Sequence, residues 1–305
     1  MDLLGKRYIF FFVSLVVILP GLIVLAIFGA PLSIDFTGGS LLEIVTTGSA
    51  IQPAQIIQVY NDMGFTDVQV QTTNSNTFVI RSKYLDEIQR GQILAKIQKD
   101  LNVTLDVLLF DSVGPVIGKE VTQRGALAVL LSALGVILYI SFAFRGVKHA
   151  FRYSISAILA EFHDILIIIS VAALGSHFFG WQIDSLFLSA FLTVIGFSVQ
   201  DTIVVFDRMR ENSMIYRKLP FETLTNHSIV QTLQRSINTQ LMTSEFLLLS
   251  MALFGGVTLR SFSIILLIGL FSGTYSSIFV AASILVVWEN QEWKTWFKRG
   301  KPSVA

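Results

Sequence analysis

The stretch SLFLSAFLTVIGFSVQDTIVVFDRMREN, residues 185–212, decides how this chain folds. It begins as an apolar segment long enough to enter a bilayer as a helix, and it ends on charged residues. Near the end of the apolar part lies a carboxylate, Asp201, flanked by Gln200 and Thr202. A charge at membrane depth costs about 2.5–3.5 kcal/mol on insertion scales, so it indicates a partner, a water-filled cavity or a function.

The overall composition supports a membrane protein. Of the 305 residues, 53% are hydrophobic and only 14% are charged. The net charge of +1 gives no reason to expect nucleic acid as a partner, and the absence of cysteine excludes disulfides and thiolate metal sites. No zinc site and no cofactor are predicted, because the four histidines are scattered and lack HExxH spacing: His149, His163, His177 and His227.

Six apolar segments predict a polytopic α-helical membrane protein with six transmembrane helices. The first has 19 uncharged residues, more than the 7–15 of a signal-peptide core, so an uncleaved helix is favoured over a signal peptide. The fifth is short and has a polar upstream flank, which makes its boundary the least defined. The segments are 10–28, 126–144, 154–174, 185–206, 238–254 and 262–287.

Residues 31–124 have a different character and predict one extracytoplasmic ferredoxin-like α+β domain between the first and second helices. Their periodicity gives the order β-α-β-β-α-β, the split βαβ pattern. The predicted elements are the strands 41–46, 67–73, 77–82 and 103–110, with helices over 53–63 and 86–99. No catalytic constellation is visible there, so a water-exposed interaction module is expected.

The distribution of Lys and Arg among the loops predicts the orientation. Both are plentiful in 145–153, in 207–237 and in the tail, whereas 175–184 contains neither. By the positive-inside rule both termini lie in the cytoplasm and the soluble domain lies outside. The predicted organisation is 1–30, cytoplasmic N-terminus and first helix; 31–124, extracytoplasmic domain; 125–288, five-helix bundle; 289–305, cytoplasmic tail.

Three polar clusters are predicted inside or beside the membrane. Asp201 is expected to be functional, with Thr193 and Ser198 near its face, although a packing role is the alternative. The sequence EFHD places Glu161, His163 and Asp164 in mid-span, where they suit either a proton relay or a structural network between helices.

The third cluster surrounds Arg235, a natural ion-pair partner for a buried carboxylate such as Asp201. A snorkelling interfacial arginine is the alternative. Glu245 lies within the fifth apolar segment and is a further candidate for titration. Asp207, near Arg208 and Arg210, is expected on a solvated helix face rather than in a relay.

Gly269 and Gly273, spaced i,i+4 in LIGLFSGTYSS, predict close helix packing.

With these motifs in order, the chain resembles the SecF family of the bacterial SecDF protein-export complex, in the resistance-nodulation-division superfamily. The resemblance covers nearly the whole chain. It includes Asp35, Gly38, Gly39, Gly114, Pro115, Gly118 and Gly196, which lie in the matching motifs. These motifs are IDFTGG (34–39), DSVGPVIGKE (111–120), HD (163–164), GFSVQDTIVVFDRMREN (196–212), LQRSINT (233–239) and LRSFSIILLIGLFSGTYSSIF (259–279).

The resemblance implies a non-enzymatic subunit of the Sec translocase that uses the proton motive force, with protons as coupling ion, in late preprotein translocation across the inner membrane. It implies SecD, the SecYEG channel and preprotein as partners, with YajC-type and YidC-type accessory proteins and the lipid bilayer. It also implies that Asp201 and Arg235 belong to the proton pathway. Two departures are the Gln at 200, where the family has Asn, and Glu245, which has no counterpart.

The sequence is also compatible with two other functions. A structural or assembly subunit without proton coupling would use its buried polar groups only to hold helices together. A small-molecule efflux subunit of the same superfamily is the second alternative. Such pumps have a duplicated chain of twelve spans, so the half-length favours a subunit that needs a counterpart.

Overall fold

In the computed structural model, which describes residues 3–48, 51–74, 76–145, 150–239, 246–254 and 257–296, the chain divides into two compact units. We call residues 32–128 the sheet unit, and residues 1–31 together with 129–305 the membrane unit. The elements in chain order are α1 (Arg7–Phe28), α2 (Ile34–Thr37), β1 (Gly39–Thr47), α3 (Pro53–Asp62), β2 (Gln69–Asn74), β3 (Thr77–Ser82), α4 (Glu87–Leu101), β4 (Thr104–Val113), α5 (Pro115–Ala143), α6 (Ala150–Phe179), α7 (Ser185–Ile215), α8 (Phe221–Ser236), α9 (Phe246–Phe254), α10 (Val257–Tyr275), α11 (Ala282–Glu289) and α12 (Trp293–Trp296).

The sheet unit contains a four-stranded antiparallel sheet in the order β2-β3-β1-β4. Buried side chains alternate with partly exposed ones along β1 and β3, and the buried set packs against α3 and α4 to form the core. The four strands and two helices predicted from the sequence are all present. The fully buried core side chains include Ile44, Ile56, Tyr60, Phe78, Ile80, Ile93 and Ile97.

Local capping explains where the two helices of the sheet unit begin. Pro53 occupies the first turn of α3, where its missing N–H is not needed, and Gln52 and Gln55 form a capping box. In α4 the side chain of Asp86 accepts a hydrogen bond from the Gln89 backbone N–H. Asn102 ends that helix in the left-handed conformation.

The two glycine motifs of the sheet unit contact each other. Gly38 and Gly39 have φ of +72° and +132°, which few other residues adopt. A Cβ on Gly118, in the first turn of α5, would lie 2.6 Å from the Gly38 nitrogen. The hydroxyl of Thr122 donates to the Phe36 carbonyl at 2.9 Å. The IDFTGG and DSVGPVIGKE motifs therefore form one tightly packed corner where α2 and β1 meet the start of α5.

Replacing Gly39 by alanine is expected to destabilise the sheet unit by about 1–3 kcal/mol, because φ is unfavourable and the new Cβ would lie 2.7 Å from the Ser82 carbonyl oxygen. The measurement is resistance of the sheet unit to protease against urea concentration, in membranes. The control is Gly91→Ala in α4, where nothing lies within 4 Å and stability should stay equal or rise by up to about 1 kcal/mol. Equal urea midpoints for both variants would contradict the argument.

Within the described residues, five helices are long and apolar enough to cross a membrane: Leu4–Phe28, Pro115–Ala143, Ala150–Phe179, Ser185–Ile215 and Leu259–Glu289. Five of the six predicted spans thus have a helix at their place. The second helix begins at Pro115, well before the predicted start at 126, because Pro115 opens a helix that continues into the apolar segment. The remaining predicted span is the fifth in chain order, 238–254. Its residues 240–245 lie outside the described part of the chain, so this span stays a prediction.

Glycine contacts set how closely the membrane helices pack. A Cβ on Gly269 of α10 would lie 2.4 Å from a methyl group of Val194 on α7, and one on Gly273 would lie 3.1 Å from Ser198. Both glycines therefore lie where α10 comes close to α7. Gly21 of α1 likewise fits against Ser170 of α6. A Cβ on Gly196 or Gly114 would meet no described atom within 4 Å, so contacts with the described residues do not require glycine there.

A charged cluster joins three parts of the membrane unit at the start of α1. The Arg7 guanidinium donates to Glu222 of α8 and to Glu292, each at 2.6 Å. The hydroxyl of Tyr8 also donates to Glu292, at 2.7 Å. Burial acts to raise the pKa of Glu292, but the hydrogen bonds from Tyr8 and Arg7 outweigh it and hold that pKa below its usual range.

This lowered pKa predicts how the cluster responds to acid. A carboxyl group whose pKa is lowered in the folded state stabilises the fold fully above its unfolded-state pKa. This stabilisation is lost as the pH falls through the lower, folded-state pKa. The contact should therefore persist at neutral pH and weaken below the ordinary value of 4.5. Glu292→Gln, which imitates the protonated group, is expected to raise tryptic cleavage after Lys294 about fivefold at neutral pH. The control is Glu120→Gln, which removes an exposed ion pair with Arg124 and should leave the rate of cleavage after Lys294 unchanged. Equal cleavage rates in both variants would contradict the role of Glu292 in holding this cluster together.

Candidate functional site in the membrane unit

Asp201 lies in α7 and is buried, with 6% of its surface exposed. Its Oδ1 accepts a hydrogen bond of 2.7 Å from the hydroxyl of Ser236, at the end of α8. Its Oδ2 is buried and has no hydrogen-bond partner within the described residues. A buried carboxylate oxygen without a donor is costly in its charged form, so this oxygen is suited to carry a proton.

Ser236, rather than Arg235, is the residue of α8 that bonds Asp201. Successive residues of a helix point about 100° apart, so Arg235 and Ser236 leave α8 in different directions. Ser236 faces α7 and is buried, whereas Arg235 is exposed. The ion pairs of the described residues include none between Asp201 and Arg235, but the charge of Arg235 still acts on Asp201 through space, so a direct contact between them stays a prediction.

Asp164 of α6 is the centre of a buried polar cluster and is only 1% exposed. We call it, with its three serine partners, the Asp164 hub. Oδ1 accepts from Ser272 at 2.6 Å, and Oδ2 accepts from Ser198 at 2.6 Å and from Ser276 at 2.5 Å. Because these serines lie on α7, on α10 and directly after α10, the hub joins those elements to α6.

A π-helical turn, Ser276–Ala281, lies between α10 and α11. Two consecutive serines of this turn contact different helices. Ser276 reaches Asp164 of α6, while Ser277 lies 2.8 Å from the hydroxyl of Thr202 on α7. Such turns are found often at functional sites, and this one lies beside the residue that follows Asp201.

His163 uses both ring nitrogens. Nδ1 lies 3.1 Å from Oδ1 of Asp164, and Nε2 lies 2.8 Å from the hydroxyl oxygen of Ser14 on α1. The ring stacks on Tyr275 with centroids 6.1 Å apart. The hydroxyl of Tyr275 donates to the Phe10 carbonyl at 2.8 Å. The histidine therefore connects the Asp164 hub to α1.

Glu161 is the first residue of the EFHD motif and is buried. It lies one helical turn before Asp164, because the two residues are spaced i,i+3. Its Oε1 is buried and has no partner within the described residues. Ser198 of α7 bonds Asp164, and α6 and α7 are successive helices joined by a short connection. Glu161 lies three residues before Asp164 on α6, and Asp201 lies three residues after Ser198 on α7. Because the chain runs in opposite directions along these two helices, both acids lie at a similar depth on the same side of the contact between Ser198 and Asp164.

The remaining predicted site residues lie away from this cluster. Asp207 is partly exposed and pairs with Arg210 at 2.6 Å, in agreement with a solvated helix face. Gln200 is exposed. Asp35 is half-buried in the first turn of α2, in the sheet unit. Glu245 lies outside the described residues. Among the described residues, no three His, Asp or Glu side chains come together in a way that could hold a metal ion.

Sequence reasoning missed the serines of the site. Ser198 was expected near the face of Asp201, but it bonds Asp164 instead. Ser236, which does bond Asp201, was not singled out. The run SGTYSS inside an apolar helix is the signal from which Ser272 and Ser276 could have been predicted. A hydroxyl that faces lipid finds no hydrogen-bond partner, so several hydroxyls in such a helix indicate contact with other helices.

Comparison with known proteins tests the resemblance seen in the motifs. The family model described as "Protein export membrane protein SecD/SecF, C-terminal" matches residues 93–291, and the SecD/SecF GG motif matches residues 23–50. The first of these covers well over half of the chain. The chain belongs to the SecD/SecF family of protein-export membrane proteins. The longer match includes Asp164 and Asp201, and the two matches together include the glycines of the packed corner.

Individual family members agree along their whole length. The chain is 61% identical over 307 residues to the protein translocase subunit SecF of Anaerolinea thermophila, with 100% of both chains covered. It is 44% identical to that of Thermobaculum terrenum, covering 100% of this chain and 99% of the relative. These matches make the chain a SecF-type subunit of a protein translocase, a transport component of the membrane.

A solved structure in the family has the same fold. The crystal structure of SecDF, a translocon-associated membrane protein from Thermus thermophilus, matches with a TM-score of 0.81 and 29% identity. The match covers 95% of this chain but only 39% of the SecDF chain. A second crystal structure, of SecDF in the super-membrane-facing form, matches with a TM-score of 0.67. The larger part of SecDF, by length, therefore has no counterpart in this chain.

Proposed function

We propose that this SecF-type subunit couples the proton motive force to the late steps of preprotein translocation, and that Asp201 is the group that binds the proton. The observation that carries the proposal is the environment of Asp201. It is a buried carboxylate with one oxygen held by Ser236 and the other without a donor in the described structure. A carboxyl group in that position can gain and lose a proton without first breaking an ion pair.

Protonation of Asp201 would change the contact between α7 and α8. The charged form accepts a charge-assisted hydrogen bond from Ser236, and the neutral form accepts a weaker one. Thr202, the next residue, is bonded to the π-helical turn through Ser277, so a shift of α7 would reach α10 and α11. The sheet unit is joined to the membrane unit through α5, and its movement would hold or release the emerging polypeptide.

The available driving force is sufficient for such a cycle. One charge moved through 100 mV is worth about 2.3 kcal/mol, and this free energy corresponds to about a fiftyfold change in an equilibrium constant. A gradient of that size would bias a two-state movement of the helices strongly in one direction. Arg235, exposed in this conformation, is proposed to act on the proton pathway in another conformation or across a subunit contact.

The partner proposed to cover α7 is SecD. Ser189, Thr193, Gly196 and Gln200 are exposed at i,i+3 and i,i+4 spacing on this membrane helix. Small and polar residues on one face of a membrane helix favour contact with another helix rather than with lipid. SecYEG, preprotein and accessory proteins of the YajC and YidC types are the further partners proposed.

The proposed architecture is that of an inner-membrane protein. It has six spans, both termini in the cytoplasm and the sheet unit outside. The order β-α-β-β-α-β and the sheet order β2-β3-β1-β4 support a ferredoxin-like fold for that unit. The Lys- and Arg-rich connection 207–237 supports the orientation.

The test is a translocation assay in proteoliposomes that contain the channel and its motor, with or without the complex of this chain and its SecD partner. The complex is expected to add a component of translocation that disappears when an ionophore collapses the proton gradient in sodium-free buffer. Stimulation that is insensitive to the ionophore would contradict the proposal and favour a purely structural subunit.

A further inference from the structure

His163 is a buried titratable group, and the proton-binding role proposed for Asp201 does not explain why it is there. Both of its ring nitrogens are within hydrogen-bond distance of oxygen atoms. The oxygens of Asp164 already accept hydrogen bonds from three serine hydroxyls, so the carboxyl group acts as an acceptor and the Nδ1 that faces it carries the hydrogen. In the neutral ring Nε2 is then an acceptor, and the hydroxyl of Ser14 donates to it.

A second proton on the ring would reverse the bond to Ser14. The doubly protonated ring donates from Nε2, so the Ser14 oxygen must accept and its single hydrogen must turn elsewhere. The available acceptor is the hydroxyl oxygen of Tyr275, which lies 3.5 Å from the Ser14 oxygen. Tyr275 can accept because its own hydrogen is already donated to the Phe10 carbonyl.

We propose that His163 is a second proton-binding residue of this subunit, and that Ser14 and Tyr275 transmit its protonation state to α1. With His163 neutral, the Ser14 hydroxyl points from α1 to α6. With His163 protonated, the hydrogen bonds run from α6 through α1 to Tyr275 of α10. The site rests on the proposed function, since a proton-driven subunit is what would use it.

The groups around His163 make both states possible. On its own helix Asp164 and Glu161 are the nearby acids, and Asp164 keeps three serine donors in either state. Tyr275 faces the ring from α10. From α1 the facing group is Ser14, and between Arg7 and Phe28 that helix has no charged residue. On α7 the nearest acid along the helix from Ser198 is Asp201, which is bonded to Ser236.

The protonation states can be observed directly by nitrogen NMR. The complex is prepared with 15N-labelled histidine in bilayers, and the His163 signals are identified by their loss in His163→Gln. At alkaline pH we expect the neutral tautomer with hydrogen on Nδ1, and on acidification we expect hydrogen on both nitrogens. In Ser14→Ala the Nε2 signal of the neutral ring is expected to move to the position of a free nitrogen. His177→Gln, an exposed histidine of the same helix, should leave all His163 signals in place.

Activity supplies a second readout that a merely structural role would not move. In Ser14→Ala and Tyr275→Phe the ratio of gradient-dependent translocation rates at the acidic and alkaline ends of the pH profile is expected to change about threefold, the equivalent of one hydrogen bond inside a membrane. Ser14→Thr, which keeps the hydroxyl, should restore the profile. A loss that is equal at all pH values would overturn the proposed transmission.

The NMR result also separates this proposal from the role of Asp201. A single protonation state of His163 across the whole range in which the complex is folded would overturn the second site and leave the proposed function intact. A neutral ring with hydrogen on Nε2 would overturn it as well. Translocation that ignores the proton gradient in the unmodified complex would overturn the proposed function, whatever the state of His163.

Discussion

Replacing Asp201 by asparagine is expected to remove the gradient-dependent part of translocation while the subunit still folds. The amide has nearly the shape of the carboxyl group, and its oxygen can still accept the hydrogen bond from Ser236. It cannot take up or release a proton. The loss should therefore equal the full advantage that the gradient gives, about fiftyfold at most for one charge and 100 mV. The measurement is the rate of translocation with and without an ionophore.

Asp207→Asn is the matched control for this experiment. Asp207 lies on the same helix, has the same chemistry, and is partly exposed in a pair with Arg210. Its replacement should leave the gradient-dependent rate within about twofold, because exposed pairs contribute little. Both variants must be shown to assemble with the partner subunit. Normal gradient-dependent translocation by Asp201→Asn would exclude Asp201 as the coupling group.

Replacing Asp164 by alanine is expected to have the largest effect on stability, a loss of about 3–5 kcal/mol. The change removes the acceptor for the hydroxyls of Ser198, Ser272 and Ser276 together and leaves a cavity between helices. Hydrogen bonds inside membranes average about 0.6 kcal/mol each, so the hydrogen bonds alone account for only part of this loss. The measurement is thermal unfolding of the purified complex, followed by loss of the monodisperse species.

Two further variants make the stability result specific. Asp207→Ala, on the partly exposed face of α7, should cost less than about 1 kcal/mol. Asp164→Asn, which keeps an oxygen acceptor, should fall between the two. If Asp164→Ala were as stable as Asp207→Ala, the Asp164 hub would not be what holds α6, α7 and α10 together.

Elements with local signals could be predicted from the sequence alone. The strand TFVIRS appears as β3, since a period-2 pattern depends only on neighbours in the chain. The burial of Asp201 and Asp164 followed from their position within apolar helices, and the packing of Gly269 followed from its spacing with Gly273. The start of α5 at Pro115 was missed, because the polar residues after that proline hide the continuity of the helix.

The partners of the buried acids could not be predicted, because they are far away in the chain. Ser272 is 108 residues from Asp164, and Ser14 is 149 residues from His163. A serine in an apolar helix can equally bond its own helix, as Ser154 and Ser263 do, so its presence does not identify a partner. The choice of Ser236 over Arg235 depended on the rotation of α8 about its axis, which tertiary packing sets.

The most direct measurement for the central claim is infrared difference spectroscopy of the membrane-embedded complex between alkaline and acidic pH. Aspartate carrying 13C in its side-chain carboxyl group shifts the band of a protonated aspartic acid and separates it from Glu161. If Asp201 carries the coupling proton, we expect an aspartic acid band that appears on acidification, vanishes in Asp201→Asn and persists in Asp207→Asn. The same band at full intensity in Asp201→Asn would show that another residue carries the coupling proton.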